Sequence, residues 1–67
     1  MNLKLKAKII EKYGTQADFA PVIDTDESLI SKIIRGRRTL PVEKQVEWAK
    51  ALGSAPRELF GREQLNG

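Results

Sequence analysis

Apolar residues recur every three or four positions along most of the chain, which is the spacing that aligns side chains on one face of an α-helix. The first such segment follows Asn2, a suitable N-cap, and ends before Gly14, a residue type that often terminates helices. We therefore predict a first helix over residues 3–13. Its predicted core-facing stripe is Leu3, Ala7 and Ile10, widened by Ile9 and Tyr13.

A second helix is expected to start at Thr15, whose hydroxyl can cap it, while Asp18 complements the positive end of the helix dipole. Pro21 interrupts this helix, because proline has no N–H to donate and disfavours helical geometry at the residue before it. The sequence therefore predicts a helix that is short, kinked or prematurely ended. The residues expected to face the core are Phe19, Ala20 and Ile23.

A third helix should follow a turn at residues 24–25, with Asp26 placed to cap it and Gly36 placed to end it. Its charges match the helix dipole, since Glu27 lies at the positive N-terminus and Arg35 at the negative C-terminus. This distribution of charge is ordinary helix electrostatics and requires no function. The predicted apolar set is Leu29, Ile30, Ile33 and Ile34.

Two further helices are predicted in the C-terminal half. Pro41 suits the first position of a fourth helix and Gly53 suits its end. A short last helix over residues 56–60 would bury Leu59 and Phe60. No segment shows sustained period-two alternation bounded by turns, so the predicted fold class is all-α, a compact bundle of about five short helices. The stripe of the fourth helix is predicted to be Val42, Val46, Ala49 and Leu52, with Trp48 beside it.

Length and composition restrict the chemistry available to the chain. Its 67 residues make one small domain, and the absence of Cys and His all but excludes zinc sites and serine–histidine or cysteine–histidine catalysis. We expect no cofactor, no metal, no small-molecule ligand and no enzymatic activity. The net charge of +3 weakly favours a polyanionic partner such as nucleic acid. No apolar run approaches the roughly 18 residues of a membrane span, so no membrane partner is expected.

Residues 15–38 resemble the helix-turn-helix unit of the lambda-repressor-like, Cro/C1-type DNA-binding domains. Counted from the first residue of the unit, that family favours Gln first, a small residue fifth, a hydrophobic residue eighth, Gly ninth, and branched or long apolar residues fifteenth and eighteenth. In this chain the six positions are held by Gln16, Ala20, Ile23, Asp24, Ile30 and Ile33. Each residue agrees with the family's preference except Asp24, at the ninth position. The stretches "RGRR" and "WAKALGSAPRELF" also resemble the family, so the likeness runs from about Leu3 to Phe60.

The resemblance implies a helix-turn-helix DNA-binding domain over residues 1–61, with the unit itself at about 15–35 and a frayed tail over 62–67. In such domains the second helix of the unit lies in the major groove of double-stranded DNA. Base contacts are thereby implied for Glu27, Ser28, Leu29 and Lys32. Phosphate contacts are implied for Gln16, Arg35, Arg37 and Arg38.

The same resemblance implies a transcriptional regulator, specifically a phage or bacterial repressor in the cytoplasm of a bacterial or phage-infected cell. It would bind a two-fold symmetric operator as a homodimer, because one unit contacts few base pairs. The apolar residues best placed to form the dimer are Leu59, Phe60 and Leu65. The chain is either a complete small Cro-like protein or part of a longer one.

Three departures from the family pattern change the expectations. Asp24 replaces the turn glycine, where the backbone is expected to have positive φ, and Asp tolerates that conformation less well than Gly. Pro21 is not explained by the family pattern. Ile9 and Ile34 occupy positions where many members have an Arg and a Glu, so we expect an apolar contact in place of that ion pair.

Several implied contacts have a second explanation. Glu27 can accept a hydrogen bond from a cytosine amino group, or it can simply complement the helix dipole and face water. Leu29 can contact a thymine methyl group or be buried, and Lys32 can be a solvated lysine. Arg37 and Arg38 can serve solubility alone.

The acidic stretch around Glu27 has two other interpretations. The segment "DTDES" faintly resembles the start of a calcium loop, but Leu29 and Arg35 occupy the positions of that loop's Gly and closing Glu. The alternative function is a helix-turn-helix fold used as a protein–protein module, with the acidic start of the third helix meeting a basic partner. Retention on heparin across a salt gradient would separate that function from DNA binding.

Overall fold

The chain is built from α-helices and one 3₁₀ segment in the computed structural model, which describes residues 1–66 and the side chains of residues 1–61. The elements are α1 Leu3–Tyr13, α2 Gln16–Phe19, the 3₁₀ segment Ala20–Ile23, α3 Glu27–Arg35, α4 Val42–Ala51 and α5 Pro56–Asn66. No strand occurs over residues 1–66, so the predicted all-α class is confirmed. Gly61 has non-helical backbone angles and breaks α5. The tail predicted over 62–67 lies outside the described side chains.

Three helices begin at the capping residues that the sequence predicted. In each case the side-chain oxygen of the cap accepts a hydrogen bond from a backbone N–H of the first turn, which would otherwise have no partner inside the helix. These bonds run from Leu5 N to Asn2 Oδ1 (3.0 Å), from Asp18 N to Thr15 Oγ1 (3.0 Å) and from Leu29 N to Asp26 Oδ1 (2.8 Å).

Pro21 shortens the second helix as expected. The α-helical hydrogen bonding stops at Phe19, and the chain tightens into the 3₁₀ segment, which carries Pro21 in its first turn. The segment ends at Asp24, whose φ of 53° and ψ of 50° are left-handed. The following N–H, of Thr25, donates to the carbonyl of Ala20 at 3.0 Å. The positive φ predicted for the turn is therefore confirmed.

The core is a single apolar cluster to which α1 to α5 and the 3₁₀ segment all contribute. A row of aromatic rings crosses it: the ring centroids of Tyr13 and Phe19 are 5.2 Å apart, and Phe19 meets Trp48 edge-on at 5.7 Å. Ile9 and Ile34 are both buried in this cluster, in agreement with an apolar replacement of the family's ion pair. The buried apolar residues are Leu5, Ile9, Phe19, Ala20, Ile30, Ile33, Ile34, Leu40, Trp48, Ala49, Leu52, Leu59 and Phe60.

The core-facing stripe predicted for the first helix is confirmed at Ile9 and Tyr13, which are buried or packed against the core, but not at Leu3, Ala7 and Ile10. Leu5 and Ile9 are fully buried, whereas Leu3 is 65% exposed and Ile10 is also exposed. The reason lies at the start of the helix. Asn2 donates its N–H to the carbonyl of Ile34 at 2.6 Å and its side-chain amide to the carbonyl of Leu59, and these two bonds set the rotation of α1.

The stripe predicted for the fourth helix is confirmed at Ala49, Leu52 and the neighbouring Trp48, which are buried, but not at Val42 and Val46. Val42 is 60% exposed and Val46 is exposed as well, while the polar Gln45 is only 1% exposed. Trp48 is the reason, since its side chain is the largest in the helix and the face that buries it is not the face of Val42 and Val46. Pro41 is the N-cap residue and not the first helical residue, because its ψ is 148°.

The C-terminal apolar residues belong to the core of the protomer. Leu59 is 5% exposed and Phe60 is 3% exposed, so almost none of either side chain is available to a partner. The dimer contact predicted for these two residues is corrected to a core role for that reason. The third predicted dimer residue, Leu65, lies outside the described side chains. The dimer itself stays a prediction.

Candidate nucleic-acid interface

Helix α3 has one apolar face and one polar face. Ile30, Ile33 and Ile34 are buried and attach the helix to the core. The opposite face carries Ser28, Lys32 and Arg35, all exposed. Their spacing of four and then three residues places them in one stripe along the helix, because successive residues are rotated by about 100°. The structure therefore brings together three of the predicted contact residues.

Two more of the predicted residues flank this stripe. Glu27 is the first residue of α3 and is exposed. Leu29 is half-buried, packs against the core and lines a groove with Ile23 and Arg38. Leu29 is thus shared between the core and the surface, and its exposed part remains available to an apolar group.

The acids at the start of α3 have different roles. Asp26 uses its Oδ1 atom to cap the helix, so its carboxylate is engaged by the backbone. The carboxylate of Glu27 forms no hydrogen bond or ion pair with the described residues, and it lies where the helix dipole is positive. Of the two, Glu27 is the carboxylate that stays available to an external donor.

The C-terminal end of α3 continues into a basic loop, whose start is hydrogen-bonded to the last turn of the helix. Gly36 has a φ of 79°, and its N–H donates to the carbonyl of Ile33 at 3.1 Å. The N–H of Arg37 reaches back to the carbonyl of Lys32 at 2.9 Å, which completes a Schellman motif. This motif holds the backbone of Arg37 against the last turn. The side chains of Arg37 and Arg38 are exposed.

Charge is distributed unevenly between α3 and the loop after it. From Ser28 to Arg38 the chain has four cationic side chains and no acidic one, and all four are exposed. The summed charge of these four side chains exceeds the net charge of the whole chain, which is +3. A surface of this kind attracts polyanions and steers their approach. The cations are Lys32, Arg35, Arg37 and Arg38.

Gln16 is the first residue of α2 and is half-buried. Thr15 caps the helix through Asp18 N, and α2 packs against α3. Gln16 thus lies at the start of the helix that precedes the turn, as expected of the family's phosphate contact. That contact stays a prediction.

Gln45 was not predicted to have any role. It is the buried polar residue of α4, and its Nε2 donates to the carbonyl of Leu40 at 2.7 Å. A signal was present in the sequence, because Gln45, Trp48 and Ala49 share one helical face at spacings of three and four. The pattern of apolar residues obscured it, since Val42 and Val46 on a neighbouring face match that pattern equally well.

The described residues contain no group of three or more acidic side chains placed to hold a metal ion. Within the same part of the chain, every helix is too short or too polar to cross a membrane.

Most of the chain matches a known protein family. The family model described as helix-turn-helix matches residues 5–59, which include the whole of α2, α3 and α4. No curated protein and no solved structure matches the chain.

Proposed function

The chain belongs to the Cro/C1-type helix-turn-helix family of DNA-binding transcription regulators, and from this we propose that it is a repressor that binds a two-fold symmetric operator as a dimer. In the proposed complex α3 lies in the major groove and the loop after it follows the DNA backbone. The observation that carries the proposal is the exposed polar stripe of α3, continued by a basic loop with no acid in it.

Within this proposal the stripe residues divide by their chemistry. Ser28 and Lys32 would meet base edges, where a hydroxyl and an ammonium can donate to acceptors such as those of guanine. Arg35, Arg37 and Arg38 would meet phosphates on either side of the groove, which gives affinity and orientation but no sequence information. Gln16 would contact a phosphate from the start of α2. Glu27 would accept a hydrogen bond from a cytosine amino group, and Leu29 would contact a thymine methyl group.

The size of the domain supports the dimer. Its principal extents are 28 × 22 × 20 Å, whereas one turn of B-DNA is about 34–36 Å long. One copy therefore fits a single half-site, and two copies on successive half-sites would multiply the sequence information that is read. A repressor of this kind would act by occupying its operator.

The test begins with selection of bound sites from random double-stranded DNA, followed by affinity measurements at two or more salt concentrations. We predict that Arg37→Ala and Arg38→Ala each weaken binding to selected and scrambled DNA by the same factor. Each should also reduce the slope of log affinity against log salt by about 0.9, the value for one lost phosphate contact. A change confined to the selected sequence would mean that these arginines read bases.

Lys12→Ala is the charge-matched control. The Lys12 ammonium lies 3.3 Å from the position that a Cβ on Gly53 would take, just beyond the C-terminal end of α4. Arg37 and Arg38 precede the N-terminal end of α4, and a ten-residue helix separates the two ends by about 15 Å. Lys12→Ala should therefore leave the salt slope unchanged. If wild-type protein binds neither DNA nor heparin, the protein–protein function replaces the proposal.

A further inference from the structure

The loop between α3 and α4, residues 36–41, is held at both ends by hydrogen bonds to its backbone. At its start, the Schellman bonds of Gly36 and Arg37 attach it to the last turn of α3. At its end, Gln45 binds two successive carbonyls: its N–H donates to Pro41 at 2.9 Å and its Nε2 to Leu40 at 2.7 Å. The loop therefore has a separate anchor on each helix.

The second anchor depends on the side chain of Gln45. Pro41, the N-cap of α4, provides no side-chain hydrogen bond to the helix and has no N–H of its own. The peptide before it is consequently fixed by the Leu40 side chain, which is buried, and by the bond from Gln45 Nε2. Without that donor, the Leu40 carbonyl would lose the hydrogen bond that ties it to α4.

The amide of Gln45 is not an efficient way to stabilise the fold. Its Oε1 atom is buried and has no hydrogen-bond partner among the described residues. A buried acceptor without a partner costs free energy that offsets much of the gain from the Nε2 bond. An unbranched apolar side chain of similar size would fill the same space without that cost. The contribution of Gln45 is therefore better explained by the loop geometry that it specifies.

We propose that Gln45 is a positioning residue for phosphate binding: by holding the Leu40 carbonyl, it orders the segment that carries Arg38, while the Schellman motif holds Arg37. The inference rests on the proposed function. Arg38 also lines the groove beside α3 together with Leu40 and Lys44, so the position of the loop sets where this cation stands relative to α3. The residue touches no DNA and acts through the backbone of Leu40.

The experiment compares wild type with Gln45→Met, which keeps length and volume and removes the donor. A matched control is Ile9→Val, a mild change at a fully buried site in α1 that has no part in the loop. Unfolding in urea first establishes that each protein is folded under the binding conditions. Binding to selected and scrambled duplexes is then measured across a salt gradient, and backbone ¹⁵N order parameters are measured without DNA.

We expect Gln45→Met to lose roughly three- to tenfold in affinity for both duplexes, with a lower salt slope, because phosphate contacts are weakened. Order parameters of residues 38–40 should fall, while the amide of Arg37, held by α3, keeps its value. Ile9→Val should match wild type in affinity and in loop order. Unchanged affinity and order in Gln45→Met, or equal affinity losses in both variants, would overturn the proposal.

The proposed function can fail separately. If wild type binds neither duplex, DNA binding is wrong, and the order parameters of residues 38–40 still decide whether Gln45 orders the loop.

Discussion

Asp24 is the residue whose backbone departs furthest from what its side chain prefers. Its φ of 53° lies in the left-handed region, which glycine enters without steric cost and other residues enter at a cost. Asp is among the residues that tolerate this conformation best. The chain therefore keeps the turn of its family with a residue that is acceptable there but not optimal.

Asp24→Gly should consequently leave the protein as stable as wild type or stabilise it by up to about 1 kcal/mol. The gain is limited because glycine also increases the entropy of the unfolded chain. Asp24→Ala is the control, since alanine has neither the freedom of glycine nor a side chain that can bond locally, and it should destabilise. Urea unfolding measures all three proteins. A clear loss of stability in Asp24→Gly would show that the turn depends on the Asp side chain.

Glu27 is the residue for which base recognition and simple electrostatics make different predictions. If it accepts from a cytosine, Glu27→Gln should relax preference at one base pair and cost about 1–3 kcal/mol at the best site. Affinity for scrambled DNA should rise at the same time, because a negative charge near the phosphates has been removed. The measurement is binding of both proteins to both duplexes at two salt concentrations. Equal changes on both duplexes would show that Glu27 reads no base.

At the scale of single elements, α1 is the helix with two competing apolar faces. One face is Leu5 and Ile9, which the structure buries, and the other is Leu3, Ala7 and Ile10, which it exposes. Either set has helical spacing. The hydrogen bonds of Asn2 at the start of α1, and of the Tyr13 hydroxyl to the Ala51 carbonyl at 2.9 Å, select the first.

The adjacent residues Ile9 and Ile10 allow a matched test of this choice. Ile9→Val should cost about 0.5–1.5 kcal/mol, because it removes a methylene from a closely packed core. Ile10→Val, the same change on the exposed face, should alter stability by no more than about 0.5 kcal/mol. Urea unfolding of the two variants decides between the faces. A larger loss for Ile10→Val would mean that α1 is rotated in solution or that its outer face is covered.

At the scale of the whole molecule, the domain is small and uses its C-terminal apolar residues for its own core. A chain of this size buries only about 60% of its unfolded surface, so it has little apolar area to spare. Leu59 and Phe60 complete the core beside Trp48, whose ring centroid lies 6.4 Å from that of Phe60. The proposed dimer would therefore form through other residues, or on the operator itself.

We accordingly predict that sedimentation detects at most weak self-association of the free protein, and that two copies bind cooperatively to an operator with half-sites one helical turn apart. A duplex with a single half-site is the control and should bind one copy with lower affinity. One copy bound per complete operator would refute the dimer.

Phe60→Ala should destabilise folding by about 3–5 kcal/mol, as expected for a core residue.

The local features of the fold follow from the sequence by itself. Caps at Asn2, Thr15 and Asp26, the interruption at Pro21 and the left-handed turn at Asp24 each depend on the hydrogen bonding or backbone freedom of one residue type, and these properties act within a few residues. The polar stripe of α3 was predictable for a similar reason, because the three isoleucines opposite it leave only one face for the core.

The orientation of α1 and α4 was decided by tertiary structure. Each helix has two faces that satisfy the helical pattern, and the choice between them depends on contacts with residues distant in the chain. For α1, the contacts are the hydrogen bonds from Asn2 to the carbonyls of Ile34 and Leu59. For α4, the face that carries Trp48 is buried and the face that carries Val42 is exposed. The same rotation of α4 carries Gln45 into the interior, where it reaches Leu40. The helical period places Gln45 on the face of Trp48 and Ala49, but it does not reveal the role of Gln45, because that role comes from a hydrogen bond that exists only once the helix is packed.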